Sequence, residues 1–158
     1  MQDVIVIGGS YAGMAAALQL ARARRKVLVI DEGQRRNRFA SHSHGFLGQD
    51  GVDPEVIHAG AKRQLLAYPT VRWIEGTATG FTGRKDDFRI SMDSGEAAAG
   101  RRILLATGVV DRLPDIPGLA ERWGRTVFHC PYCHGYELDR GRIGVIATGP
   151  MSVHQAQL

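Results

Sequence analysis

Two short apolar runs, Val4-Ile5-Val6-Ile7 and Val27-Leu28-Val29-Ile30, bracket an alanine- and leucine-rich stretch from Met14 to Ala23. Between the first run and that stretch lies Gly8-Gly9-Ser10-Tyr11-Ala12-Gly13, and Asp31 closes the second run. The order predicts strand, glycine turn, helix and strand, the pattern of a dinucleotide-binding βαβ unit. In such a unit the turn glycines let the backbone approach a pyrophosphate, and the free N–H groups of the helix start meet its charge. Asp31 falls where a carboxylate can accept hydrogen bonds from a ribose. The second glycine of the usual G-x-G-x-x-G is Ser10 here, so a side chain either crowds that phosphate or donates its hydroxyl to it.

Farther along, Glu32 to Gly51 is polar and glycine-containing, and reads as a long loop of the kind that often carries function. Asp53-Pro54 marks a helix start, with Asp53 as N-cap and Pro54 at the first helical position. This helix is expected to run to about Tyr68. Val71 to Phe81 reads as one strand, Arg84 to Asp87 as a polar turn, and Phe88 to Met92 as an alternating strand. Arg102 to Ala106 is a further apolar strand ending in Thr107-Gly108. Leu113 to Gly118, with two prolines, is an extended connection. Arg142 to Ile146 predicts a new strand, Ala147 to Ser152 a second nucleotide-type turn, and Val153 to Leu158 the start of a helix. The fold class implied is α/β: a Rossmann-like domain with a parallel sheet, helices and a small antiparallel insert, then the start of a second nucleotide-binding domain. The expected boundaries are 1–112 and 113–158.

Composition adds bounds. The 158 residues are 44% hydrophobic and 23% charged, ordinary for a globular chain able to bury one core. No apolar run is long enough for a membrane span, and no secretory signal is visible, so a cytoplasmic setting is expected. The net charge is +4, with basic clusters at Arg22 to Lys26 and Arg35 to Arg38. These read as a helix end favoured by the dipole and a polar loop, or as attraction for anionic cofactors. Nucleic-acid binding is not expected, because acids are interspersed and no motif for it occurs.

The chain has two cysteines, in Phe128-His129-Cys130-Pro131-Tyr132-Cys133-His134-Gly135-Tyr136-Glu137. A C-x-x-C can close a small disulfide ring or sit at a helix start, where the dipole favours thiolate. Such pairs exchange reversibly with other dithiols. A zinc site using His129 or His134 is the rival reading, although no second cysteine pair exists to complete it; no metal ligand is assigned. Two inert buried thiols are the third.

Together the Gly8 turn, Asp31-Glu32-Gly33, Arg36-Asn37-Arg38, His44-Gly45-Phe46-Leu47, Ala106-Thr107-Gly108 and the cysteine pair resemble the low-molecular-weight thioredoxin reductase family. The resemblance covers essentially the whole chain and about the first half of a typical member, so a fragment of a longer protein is expected, inactive by itself. It implies a flavoprotein that passes electrons from NADPH or NADH through FAD to the Cys130–Cys133 disulfide. A thioredoxin-like protein or a small dithiol or disulfide would be the partner, and the complete protein would be a homodimer. By resemblance Gly8, Gly9, Ser10, Tyr11, Ala12 and Gly13 hold the FAD pyrophosphate, and Asp31 binds the adenosine ribose, with Glu32 beside it. Asn37 lies along the cofactor, and Ala106, Thr107 and Gly108 pass close to it. Cys133 would face the flavin and Cys130 the substrate. His134 stands where these reductases usually carry a proton-transferring aspartate. Cys-Pro-Tyr-Cys-His-Gly-Tyr-Glu is closer to related dithiol oxidases, and an imidazole can move the proton instead.

Overall fold

The computed structural model describes residues 1–157. The predicted βαβ unit forms as β1 (Gln2–Ile7), α1 (Tyr11–Arg22) and β2 (Val27–Asp31). Helix α2 (Pro54–Leu66), β3 (Val71–Glu75), β4 (Ala78–Arg84), β5 (Asp87–Met92) and β6 (Ala97–Leu105) follow. All six strands join one mixed sheet in the order β3-β2-β1-β6-β5-β4. Strands β3, β2, β1 and β6 run parallel, and β5 and β4 extend the sheet antiparallel beyond β6.

The apolar runs become central strands because both of their faces are covered. Val6, Val27 and Val29 pack on one face with Met14, Ala17 and Ala21 of α1 and Leu65 of α2. Ile5, Leu28 and Ile30 point to the opposite face and meet Ile90 and Met92. The spacing Met14, Ala17, Ala21 puts the buried positions of α1 on one stripe.

Three expectations about elements need correction. The stretch Val71 to Phe81 is two strands, because β3 pairs with β2 and β4 with β5, and the chain turns between them at Gly76-Thr77. Strand β6 begins five residues before Arg102; Ala97 to Gly100 has little strand propensity and is extended because it pairs with β5, while its second half pairs with β1. Arg142 to Ile146 forms no strand: no segment among the described residues pairs with it, and Ile143, Val145 and Ile146 are left exposed. A ladder needs a partner, whatever the local pattern says. The hairpin turn is at Lys85-Asp86, where Asp86 has φ 74°. Its carboxylate accepts from Arg102 and Arg101, and the Arg102 bond, chiefly, holds it below the usual carboxylate range.

The chain divides into two compact units, Met1–Arg38 with Glu55–Asp111, and Phe39–Pro54 with Arg112–Leu158. The second contains α3 (Leu119–Arg122), α4 (Pro131–His134), a 3-10 turn at Tyr136–Leu138 and α5 (Ser152–Gln157). The final residue of the helix expected over Val153 to Leu158 lies outside the described residues. Among the described residues no helix is long and apolar enough to cross a membrane.

Candidate functional site

In the first unit, parallel strands bring three of the sequence's candidate stretches to one edge. Strands β1, β2 and β6 end, at their carboxyl ends, in the Gly8 turn, in Asp31-Glu32 and in Ala106-Thr107-Gly108. The crevice beyond such ends is where open α/β sheets bind ligands. The turn is drawn tightly onto its neighbours. Ala106 N–H donates to Ile7 O at 2.8 Å, and Gly8 N–H to Ile30 O at 2.8 Å. Gly8 has φ 101°, and a Cβ there would lie 2.3 Å from Ala106 O. A Cβ on Gly13 would lie 1.9 Å from Gly8 O, so only glycine lets the first turn of α1 sit against the end of β1.

Ser10 is the N-cap of α1, in extended conformation, and its hydroxyl makes no cap bond. The first N–H groups of any helix have no partner within it. The start of α1 is therefore of the kind that can receive an anion, with the Ser10 hydroxyl, which makes no cap bond, beside it. Asp31 accepts from Gly9 N–H at 2.8 Å through Oδ1, which leaves its other oxygen for a ribose. Gly108 has φ 65° and open space where a Cβ would stand, as a backbone lying along a flat ligand needs. These features fit a flavin dinucleotide. Glu32 and Asn37 are exposed, Asn37 in the turn 36–39.

Three supporting residues, Trp73, His58 and Lys62, were not singled out in the sequence. Trp73 of β3 lies directly against Gly9, since a Cβ there would be 2.3 Å from the indole ring. His58 Nε2 is 3.0 Å from Gly9 O and its ring meets Trp73 edge-on. Lys62 sits 4.4 Å from the centroid of the Trp73 ring and pairs with Glu75 at 3.0 Å. The available signal was helical spacing: His58 shares the stripe of Ala61 and Leu65, which pack in the core. Arg36 grips Asp111 with two bonds, at 2.8 and 2.5 Å, tying the loop after β2 to the segment after β6. That hydrogen bond holds the guanidinium still more firmly protonated.

In the second unit, Cys130 and Cys133 are joined as a disulfide. Cys130 caps the short helix α4, with Pro131 in its first turn. The Cys133 N–H points at Cys130 Sγ at 3.2 Å. After reduction this bond and the helix start would favour a thiolate on Cys130. His134 stacks on Phe128 with ring centroids 4.7 Å apart, and its buried Nδ1 has no hydrogen-bond partner among the described residues. Tyr132 and Tyr136 are exposed. Glu137 faces His44 Nδ1 at 3.4 Å, and Asp50 approaches the same nitrogen at 3.8 Å. The His44 loop and the segment after the cysteines thus belong together, a long-range contact that neither stretch announces. Among the described residues no cluster of metal-ligating side chains is present, and both candidate zinc thiols are consumed in the disulfide.

Comparison with known proteins shows the family. The chain is 40% identical over 152 residues to thioredoxin reductase tcpT of Claviceps purpurea, covering 94% of this chain and 47% of that protein. It is 36% identical over 156 residues to thioredoxin reductase aclD of Aspergillus oryzae, covering 95% and 49%. The crystal structure of an oxidoreductase from Agrobacterium tumefaciens superposes with a TM-score of 0.95 at 60% identity, over 98% of this chain and 52% of that one. The chain therefore spans about half the length of the relatives it matches. Residues 2–158 match the family throughout, and the chain belongs to the pyridine nucleotide-disulphide oxidoreductases.

Proposed function

We propose that the full-length protein is an FAD-dependent disulfide oxidoreductase of the thioredoxin reductase type. It passes electrons from NADPH or NADH to the Cys130–Cys133 disulfide, and from there to a protein or small-molecule disulfide. The observation that carries this reading is the closed disulfide at the start of α4, in a chain that also holds a dinucleotide turn. Bound FAD supplies hydride acceptance from the nicotinamide and electron-pair donation to a disulfide. We assign residues 1–112 to the FAD half and 113–158 to the redox segment and the beginning of the NAD(P)H half. The setting we infer is a cytoplasmic homodimer.

The protein's own residues would act as follows. The N–H groups of Ser10 to Gly13 hold the pyrophosphate, and the second oxygen of Asp31 holds the ribose. Glu32, Asn37, Ala106, Thr107 and Gly108 border the cofactor. Reductive opening leaves two thiols, of which Cys130 is the better thiolate because the Cys133 N–H faces its sulfur. Cys130 attacks the substrate disulfide and releases one of its thiols. Cys133 then attacks Cys130 in the mixed disulfide, releasing the second thiol and restoring the ring. His134 carries the proton that these steps move; with Nδ1 shielded, Nε2 is the nitrogen that exchanges it.

Purified full-length protein should be yellow with stoichiometric FAD, and anaerobic NADPH or NADH should bleach it. A colourless protein that gains no flavin absorbance from added FAD would defeat the reading.

A further inference from the structure

Gly9 is held from three directions at once. Its N–H donates to Asp31 Oδ1 at 2.8 Å, its carbonyl lies 3.0 Å from His58 Nε2, and the Trp73 ring fills the place of a Cβ. A carbonyl can only accept, so His58 Nε2 must carry the proton and donate it. The carbonyl of Gly9 and the N–H of Ser10 belong to one peptide plane. No cis peptide occurs among the described residues, so the two groups point in opposite directions. Drawing the carbonyl toward α2 therefore turns the Ser10 N–H away from α2. That N–H has no acceptor among the described residues. It lies immediately before the first residue of α1.

We propose that His58 is a positioning residue for the pyrophosphate: by donating to Gly9 O it fixes the peptide that aims the Ser10 N–H at a phosphate oxygen. The proposal rests on the nucleotide reading given above and assigns a role to a residue of α2 that touches no ligand. Asp31 fixes the preceding peptide through its N–H, and His58 fixes this one through its carbonyl. Without His58 the 9–10 peptide is free to rotate, and one phosphate donor is lost from the set.

The test uses full-length apoprotein with FAD, ADP and adenosine as probes; ADP and adenosine are measured as competitors of FAD reconstitution. His58→Ala removes the donor. His58→Phe also removes it while keeping a ring against Trp73, so that a packing defect is separated from the lost bond. Both variants should bind ADP about tenfold more weakly, the effect of losing roughly one hydrogen bond. Adenosine, which has no phosphate, should bind as before. His58→Gln, whose amide can donate from a similar position, should recover most of the ADP affinity. Equal losses for ADP and adenosine, or unchanged ADP affinity in His58→Phe, would overturn the assignment. Unsubstituted protein that binds neither FAD nor ADP would instead overturn the nucleotide reading itself.

Discussion

Gly13→Ala should destabilise the fold by about 3 kcal/mol and leave the full-length protein nearly free of FAD. The added Cβ would stand 1.9 Å from Gly8 O, a backbone atom that no side-chain rotation can move aside. Either the first turn of α1 lifts from β1 or the Gly8 turn opens. Gly8 in turn lies against Ala106, so the disturbance reaches the strand that ends beside the same site. Gly60→Ala is the control, since its Cβ would meet nothing within 4 Å and alanine is the better helix residue. It should hold or slightly raise the midpoint. Denaturant midpoints and flavin content of both variants check the pair of expectations. Full flavin occupancy and an unchanged midpoint in Gly13→Ala would show that the turn is not the tight nucleotide cradle described.

Replacing either cysteine should abolish disulfide exchange, because each substitution removes half of the exchanging pair. The two variants should differ in their spectra. Cys130→Ser leaves Cys133 as the remaining thiol, and its thiolate beside oxidised flavin would give long-wavelength charge-transfer absorbance. Cys133→Ser should lack that band. The Cys133 N–H aimed at Cys130 Sγ agrees with this division, since it favours the thiolate of the substrate-attacking sulfur. If the band appears in Cys133→Ser instead, the two roles are reversed.

The βαβ unit was legible because its signals are local: two apolar runs, a glycine turn and an acid at the right offset. The start of α2 was legible for the same reason, from Asp53-Pro54. The cysteine spacing allowed a small disulfide ring or a helix start, and the structure has both, with Cys130 bonded to Cys133 and capping α4. What was not legible depends on partners distant in sequence. Ala97 to Gly100 is a strand because β5 lies beside it, and Arg142 to Ile146 is none because no segment among the described residues pairs with it. No local pattern distinguishes the two cases. The clamp on Gly9 has the same origin. His58 reads as one polar residue on a half-apolar helix, and Trp73 as an ordinary strand aromatic, until the sheet brings both to the turn. The sequence marks Asp31 only as a candidate ribose ligand, whereas its bond to Gly9 N–H makes it part of the turn's own structure. Loss of FAD on removing Asp31 would thus combine two effects, which comparison of ADP with adenosine can separate.

Anaerobic reductive titration of the full-length protein tests the central claim most directly. If the Cys130–Cys133 disulfide is in redox communication with bound FAD, each chain takes up two electron pairs, one for the flavin and one for the disulfide. Two new thiols should then become alkylatable at Cys130 and Cys133, and the Cys133→Ser protein should take up only one pair. Full flavin reduction after a single pair in the unsubstituted protein, with both cysteines still oxidised, would contradict the account.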